Sequence, residues 1–322
     1  MSSYWWIILL FCPMLLGAQN PQLGTIHFNI NNGLPSSEVH DLLQDQKGYI
    51  WIATDNGLSR FNGYHFQNFG PKSGLLSNAV FSLFSDHEDR IWMSTFGGLY
   101  FYDPIRDTIQ AYLYNHIIDE YNTVSNSDLV KSFFVDKQET VYSSVSAFGV
   151  AIINCDGTHR LLEKVEDYSL FIFQQDHHTL IAPFTPLPNN GAKDFSRTKV
   201  SQLLLYRSKE TDHSTIILDK DPLIPYSHYQ SASTLASDHL LFSMDHNLYL
   251  IHQNKVEFIG ALPKVILAQT QTEDQAIYLG LSKNQEEGGV AYYPSEDALY
   301  ENPPLRYLNE YSVTDILEDR KG

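Results

Sequence analysis

One block of this sequence recurs at a fixed displacement, and that repetition constrains the fold more than any other feature. Residues 33–63, GLPSSEVHDLLQDQKGYIWIATDNGLSRFNG, align with 74–103, GLLSNAVFSLFSDHEDRIWMSTFGGLYFYD, 41 positions later. Gly33, Val39, Asp45, Trp51, Thr54, Gly57 and Leu58 fall on Gly74, Val80, Asp86, Trp92, Thr95, Gly98 and Leu99. A third, weaker copy places Val130, Ser132, Asp136 and Tyr142 a further 50 positions on, with Gly149-Val150 standing for Gly-Leu. The last twelve residues return to the pattern: Val313, Asp315, Leu317, Asp319, Lys321 and Gly322 match Val39, Asp41, Leu43, Asp45, Lys47 and Gly48 at a displacement of 274. Between these, apolar runs around Leu170 to Pro183, Leu240 to Ile251 and Ala276 to Tyr293 mark units whose register the sequence leaves open.

Each copy reads as four short strands. Glu38 to Gln44 is the first, Asp45 to Gly48 a tight turn, and Tyr49 to Thr54 a second strand rich in aromatic and β-branched residues. Asp55-Asn56-Gly57 turns the chain into Leu58 to Phe61, and Asn62-Gly63 reads as a two-residue hairpin turn before Tyr64 to Phe69. One such sheet cannot bury both of its apolar faces, whereas several stacked radially can. The expected fold is therefore all-β, a β-propeller of four-stranded antiparallel blades. The 274 residues between the first and last matching registers hold about six units, and Val313 opens a seventh. The expectation is seven blades with the last, starting near 311, incomplete in this chain. Thr25 to Ile30 is read as the outer strand that closes the ring on that last sheet.

Composition narrows the function. With 21 basic against 38 acidic residues the net charge is −17, which repels a nucleic-acid backbone and excludes nucleic acid as a partner. Residues 1–18 carry an uncharged apolar run, Tyr4 to Leu16, followed by Gly17-Ala18, and read as a signal peptide cut after Ala18. The propeller then occupies 19–322. Removing the leader takes Cys12 and leaves Cys155 alone, a thiol expected to serve as a small buried hydrophobe.

The pattern in Val39 to Arg60, Val-x-x-Leu-x-x-Asp-x-x-Gly-x-Ile-Trp-Ile-x-Thr-x-x-Gly-Leu-x-Arg, resembles the two-component regulator propeller repeat. That repeat builds the periplasmic sensor region of bacterial sensor histidine kinases, some of them hybrid. The resemblance implies an N-terminal, extracytoplasmic sensing propeller on the outer side of the inner membrane, serving transmembrane signal transduction. It also implies a small-molecule ligand, oligosaccharides among the candidates, and homodimerisation through the full-length sensor. Membrane contact would come only through segments beyond this chain. Two other readings compete: an exported propeller glycosidase or lyase, and a protein-interaction propeller without a small ligand.

Catalytic motifs are not found in the sequence, so no enzyme activity, cofactor or metal is expected of these residues. Adjacent His177 and His178 would point to opposite faces of a strand and suit no shared ion. Trp51 and Trp92 invite carbohydrate stacking, yet their identical places in the repeat suit packing between sheets. Asp45, Asp86, Gly57 and Gly98 suit turns, by side-chain-to-backbone bonding and by backbone freedom. Ligand-binding candidates lie where copies differ, in the loop leading into the first strand and the turn between the second and third, which open on one face. They are Ser37, Glu38, Asp55, Asn56, Asn78, Phe96, Asn126 and Phe148. Aromatic rings among Ser, Asn and Asp groups suit a neutral or cationic polyol better than an anion, and the alternative is a set of ordinary solvated loops. Pro183 to Asn190 reads as a Pro-rich loop.

Overall fold

An aspartate that accepts from backbone N–H groups two and four residues ahead closes a tight turn without help from a partner chain. Asp45 Oδ1 does this with the amides of Lys47 and Tyr49, both at 2.9 Å. Asp86 repeats it with Glu88 and Arg90, and Asp136 with Gln138 and Thr140. The other carboxylate oxygen takes the indole N–H of Trp51 at 2.9 Å, that of Trp92 at 2.7 Å and the hydroxyl of Tyr142 at 3.3 Å. One acid thus ties the turn to the aromatic of the second strand. At the next turn the Thr54 hydroxyl donates to the Gly57 carbonyl and accepts from Asn56 N–H, and Thr95 does the same with Gly98 and Gly97. Gly57 sits at φ 109°, where a Cβ would lie 2.6 Å from the Phe69 carbonyl oxygen, so only glycine fits.

These local rules build an all-β propeller of four-stranded antiparallel blades in this computed structural model. It describes residues 26–122, 133–145, 149–162, the strands named below between 168 and 225, and 230–253, 255–283, 288–301, 305–308 and 311–319. The first blade is Val39–Gln44, Ile50–Thr54, Gly57–Phe61 and Phe66–Phe69. The second is Val80–Ser85, Ile91–Thr95, Gly98–Asp103 and Thr108–Ala111. The third is Phe133–Val135, Val141–Val145, Gly149–Ile153 and His159–Leu162. A fourth runs Gln230–Thr234, Leu240–Met244, Asn247–His252 and Lys255–Ala261, and a fifth Ile266–Gln271, Ile277–Leu281, Gly289–Tyr293 and Leu305–Tyr307.

Among the described residues, the expected seven blades are corrected to five four-stranded ones. Tyr168–Leu170, Phe173–Asp176, Thr179–Pro186, Gln202–Arg207 and His213–Ile217 form a five-stranded sheet, because the first two both pair with the long third strand. Lys199–Val200 and Ile224–Pro225 make a separate two-stranded pair. Pro183 lies inside a strand, paired with Leu203, so the Pro-rich stretch is no loop as far as Pro186; 187–190 lie outside the described residues.

Three other expectations change. The loop at Asn62 is four residues long, with Phe61 paired to Phe66, because the Asn62 side chain accepts from both Tyr64 and His65 N–H. Residues 26–30 enter no sheet; Phe28 instead packs its ring on Phe61 and Phe66 of the first blade, at 5.0 and 5.5 Å. Cys155 is exposed, in the turn that Asn154 N–H closes on the Thr158 carbonyl. The nine extra positions before the third copy hold an α-helix, Asn115–Asn122, whose Asn115 side chain bonds both backbone groups of Leu99.

The core lies between blades rather than within them. Trp51, Leu58 and Phe69 of the first blade pack with Leu83, Met93 and Tyr102 of the second. The second and third share a cluster around Trp92, Ile118 and Phe134, and the fourth and fifth share one around Leu241, Leu250 and Leu279. Arg60, from the Gly-Leu-x-Arg end of the repeat, lies 5.3 Å from the Trp51 ring and donates to the Tyr102 hydroxyl of the next blade.

First strands of neighbouring sheets meet at the centre, and residues 313–319 stand in the same relation to the first blade. Asp315 Oδ2 accepts from Leu42 N–H at 2.6 Å, as Asp41 Oδ2 accepts from Leu83 N–H at 2.6 Å one repeat later. On the other side, Glu318 accepts from Glu273 N–H of the fifth blade as Gln271 accepts from Ala236 N–H of the fourth. The segment pairs into no sheet, yet these two contacts are copies of those between whole blades.

Candidate functional site

The first strand of the first, second and fifth blades carries an irregularity that sequence reading missed. Pairing skips a residue between Val39 and Asp41, between Val80 and Ser82, and between Ile266 and Ala268. A bulge of this kind turns the skipped side chain out of the alternation. The skipped residues are His40, Phe81 and Leu267. The His40 and Phe81 rings lie 5.2 Å apart, and Phe81 meets Phe96 edge-on at 4.7 Å. A column of three rings therefore runs from the first blade's inner strand to the turn between second and third strands of the second blade. Phe96 ends it, 57% exposed. His40 Nε2 is buried and has no hydrogen-bond partner among the described residues. Such an orphaned polar atom is costly unless something satisfies it.

The candidates from sequence divide into two groups. Ser37, Glu38, Asp55 and Asn56 are exposed and close together: Asn56 Nδ2 donates to the Pro35 carbonyl at 3.1 Å, and Asp55 N–H to that of Glu38 at 3.4 Å. Phe96 belongs to the ring column, and Asn78 is exposed in the loop leading into the second blade. Asn126 and Phe148 lie outside the described residues, as do His177 and His178. The repeat positions sit elsewhere. Trp51 is fully buried, stacked 5.5 Å from Phe69 and 4.8 Å from Tyr102, and Trp92 lies 5.0 Å from Phe101. Asp45 and Asp86 are buried in their turns, and Gly57 and Gly98 occupy left-handed backbone.

One pair of acids adjoins the column. Asp41 and Asp315 share a hydrogen bond between carboxyls. Burial, and then the neighbouring Asp315 charge, push Asp41 well above the usual carboxylate range, and burial raises Asp315 too. The surroundings of His40 are thus aromatic on one side, with the buried Asp41–Asp315 pair adjoining. Among the described residues no three His, Cys, Asp or Glu side chains gather to hold a metal ion, and no helix is long and apolar enough to cross a membrane.

Residues 33–56 and 74–97 match the two-component regulator propeller repeat, so the first two blades are built on that repeat. A 61-residue stretch is 36% identical to histidine kinase P4 of Formosa agariphila, covering 19% of this chain and 4% of that protein. Among solved structures, the extracellular domain of the putative hybrid two-component system BT3049 from B. thetaiotaomicron superposes with a TM-score of 0.59 at 16% identity. That match covers 90% of this chain and 38% of the other. The extracellular domain of the putative one-component system BT4673 from the same organism gives 0.64 at 15% identity, over 91% and 40%. This chain spans under half the length of those structures. At such identity they show the shared propeller fold.

Proposed function

We propose that this chain is the ligand-sensing propeller region of a two-component sensor histidine kinase, exported from the cytoplasm and noncatalytic in itself. The observation that carries this reading is the two-component regulator propeller repeat at 33–56 and 74–97. Its support includes the kinship in fold with extracellular domains of two-component systems. The ligand is a neutral, hydroxyl-rich small molecule, a sugar or oligosaccharide being the nearest chemical class. It stacks on Phe96 and Phe81 and gives a hydroxyl to His40 Nε2. Asn56 and Asn78 border the same face. An anion is disfavoured by the net charge of −17 and by the Asp41–Asp315 pair. Signalling would follow from unequal affinity of the ligand for two arrangements of paired sensors.

The test is a thermal melt of the purified chain against a panel of neutral and charged oligosaccharides. A true ligand at 100 times its Kd stabilises by about 2.7 kcal/mol, which moves Tm by several degrees. Phe96→Ala and His40→Ala should each abolish that shift while leaving the unliganded melt within a degree or two. A panel that shifts nothing, or a shift untouched by both substitutions, removes the ligand reading. Fusing residues 1–30 to a reporter that works only after export checks the compartment.

A further inference from the structure

We propose that the fourth blade binds one divalent transition-metal ion of the zinc class on His239 and His252, at the face opposite the ring column. Leu240 pairs with Ile251, and one step further along the same register His239 stands across from His252. Cross-strand neighbours project to the same side of the sheet. Their ring centroids are 5.2 Å apart with planes tilted by 43°. Two imidazoles on one tetrahedral zinc, bound at about 2.0–2.1 Å, place their ring centres about 5 Å apart.

Each ring has one nitrogen engaged by a carboxylate and the other without a partner among the described residues. His239 Nδ1 lies 2.6 Å from Glu296 Oε1, and His252 Nε2 lies 3.5 Å from Glu257 Oε2. Both carboxylates are themselves held: Ser237 Oγ donates to Glu296 at 2.6 Å and the Tyr300 hydroxyl to Glu257 at 3.3 Å. A carboxylate hydrogen-bonded to the far nitrogen, as Glu296 is to His239, orients an imidazole and is the usual outer partner of a metal-binding histidine. The two side chains are 37% and 31% exposed, so an ion could reach them. No third ligand is in place, so water or a carboxylate freed from its histidine would complete the coordination.

Among the four-stranded blades this pairing occurs in the fourth alone. The same cross-strand places hold Tyr49 and Asn62 in the first blade, Arg90 and Asp103 in the second, Thr140 and Asn154 in the third, and Ala276 and Pro294 in the fifth. Imidazole pairs suit zinc, nickel and copper rather than calcium or magnesium.

Calorimetric titration of the metal-stripped chain with zinc chloride, and separately nickel chloride, tests the site. One ion per chain should bind, His239→Ala or His252→Ala should weaken it at least tenfold, and the double variant should abolish it. Glu296→Gln should weaken it by up to about tenfold through the orienting bond. Circular dichroism checks that each variant folds. In the unaltered chain, zinc should protect His239 and His252 from diethylpyrocarbonate, which needs no variant at all. No binding, binding undiminished in the double variant, or a thiolate band with cobalt that moves the ion to Cys155 would each overturn the proposal.

Discussion

The first two blades and the last two make the same turn with different side chains. Asp45 N–H bonds the Tyr49 carbonyl and Gly48 N–H bonds that of Asp45; Leu235 with His239 and Asp238, and Thr272 with Ala276 and Gln275, reproduce both bonds. Yet Leu235 and Leu241 stand where Asp45 and Trp51 stand, both buried. In the fourth blade a polar tie between turn and second strand is thus replaced by apolar contact, while in the fifth the Thr272 hydroxyl donates to the Ala276 carbonyl. The third blade is intermediate, keeping Asp136 while a longer Tyr142 bond replaces the indole. What the fold requires is the backbone turn and a filled gap between blades. The Asp–Trp pair is one way to meet both demands.

Substitutions can break this comparison, and the largest effect should come at Trp51. Trp51→Ala should lose about 4–5 kcal/mol, above the about 2–4 expected of Leu241→Ala, because it opens a larger cavity and strands a buried Asp45 oxygen. Urea unfolding of both variants decides; equal losses would mean the Asp–Trp bond adds nothing to packing. Asp86→Ala comes next, at about 3 kcal/mol, since two backbone amides, an indole and the Arg90 guanidinium lose one acceptor. The reverse graft sharpens the point. Leu235→Asp alone should destabilise the fourth blade, and adding Leu241→Trp should recover at least about 1 kcal/mol in a double-mutant cycle.

The seam between residues 313–319 and the first blade should respond to pH. Burial raises the Asp41 carboxyl in the folded chain above its unfolded value, so its contribution is fully present below about pH 4 and is lost as pH rises through its higher folded value. Asp41→Asn keeps a donor towards Asp315 and removes the titration. Its Tm should therefore change less than that of the parent between pH 4 and 7, and equal slopes would contradict a raised Asp41. The smallest effect concerns the left-handed turn residue, Gly48 at φ 85° against Asp238 at φ 66°. Gly48→Ala should cost about 1 kcal/mol and Asp238→Gly should change stability by a few tenths at most, both read from thermal melts.

Blade architecture was legible wherever the repeat kept its polar residues. Asp45, Trp51, Thr54 and Gly57 each answer a local demand within seven positions of a neighbour, and local demands leave sequence marks. Leu235 and Thr272 left none, although the apolar runs around Leu240 and Ala276 did fall on second and third strands. The four-residue loop at Asn62 was misjudged because Asn-Gly signals a turn without fixing its length. Of the candidate site, the loop residues Asn56, Asn78 and Phe96 stand where the copies differ, which marks them in the sequence. His40 and Phe81 were not, because a bulge is invisible to a period of two.

The order of strands and the stacking of like units were contained in the order of the residues, since each rests on contacts between near neighbours. The number of complete blades, the His40–Phe81–Phe96 column, the acid pair joining residues 41 and 315, and the facing histidines of the fourth blade came from the folded molecule alone. Each of these depends on where bulges, long strands and the two ends of the ring meet. No periodicity along the chain records such meetings.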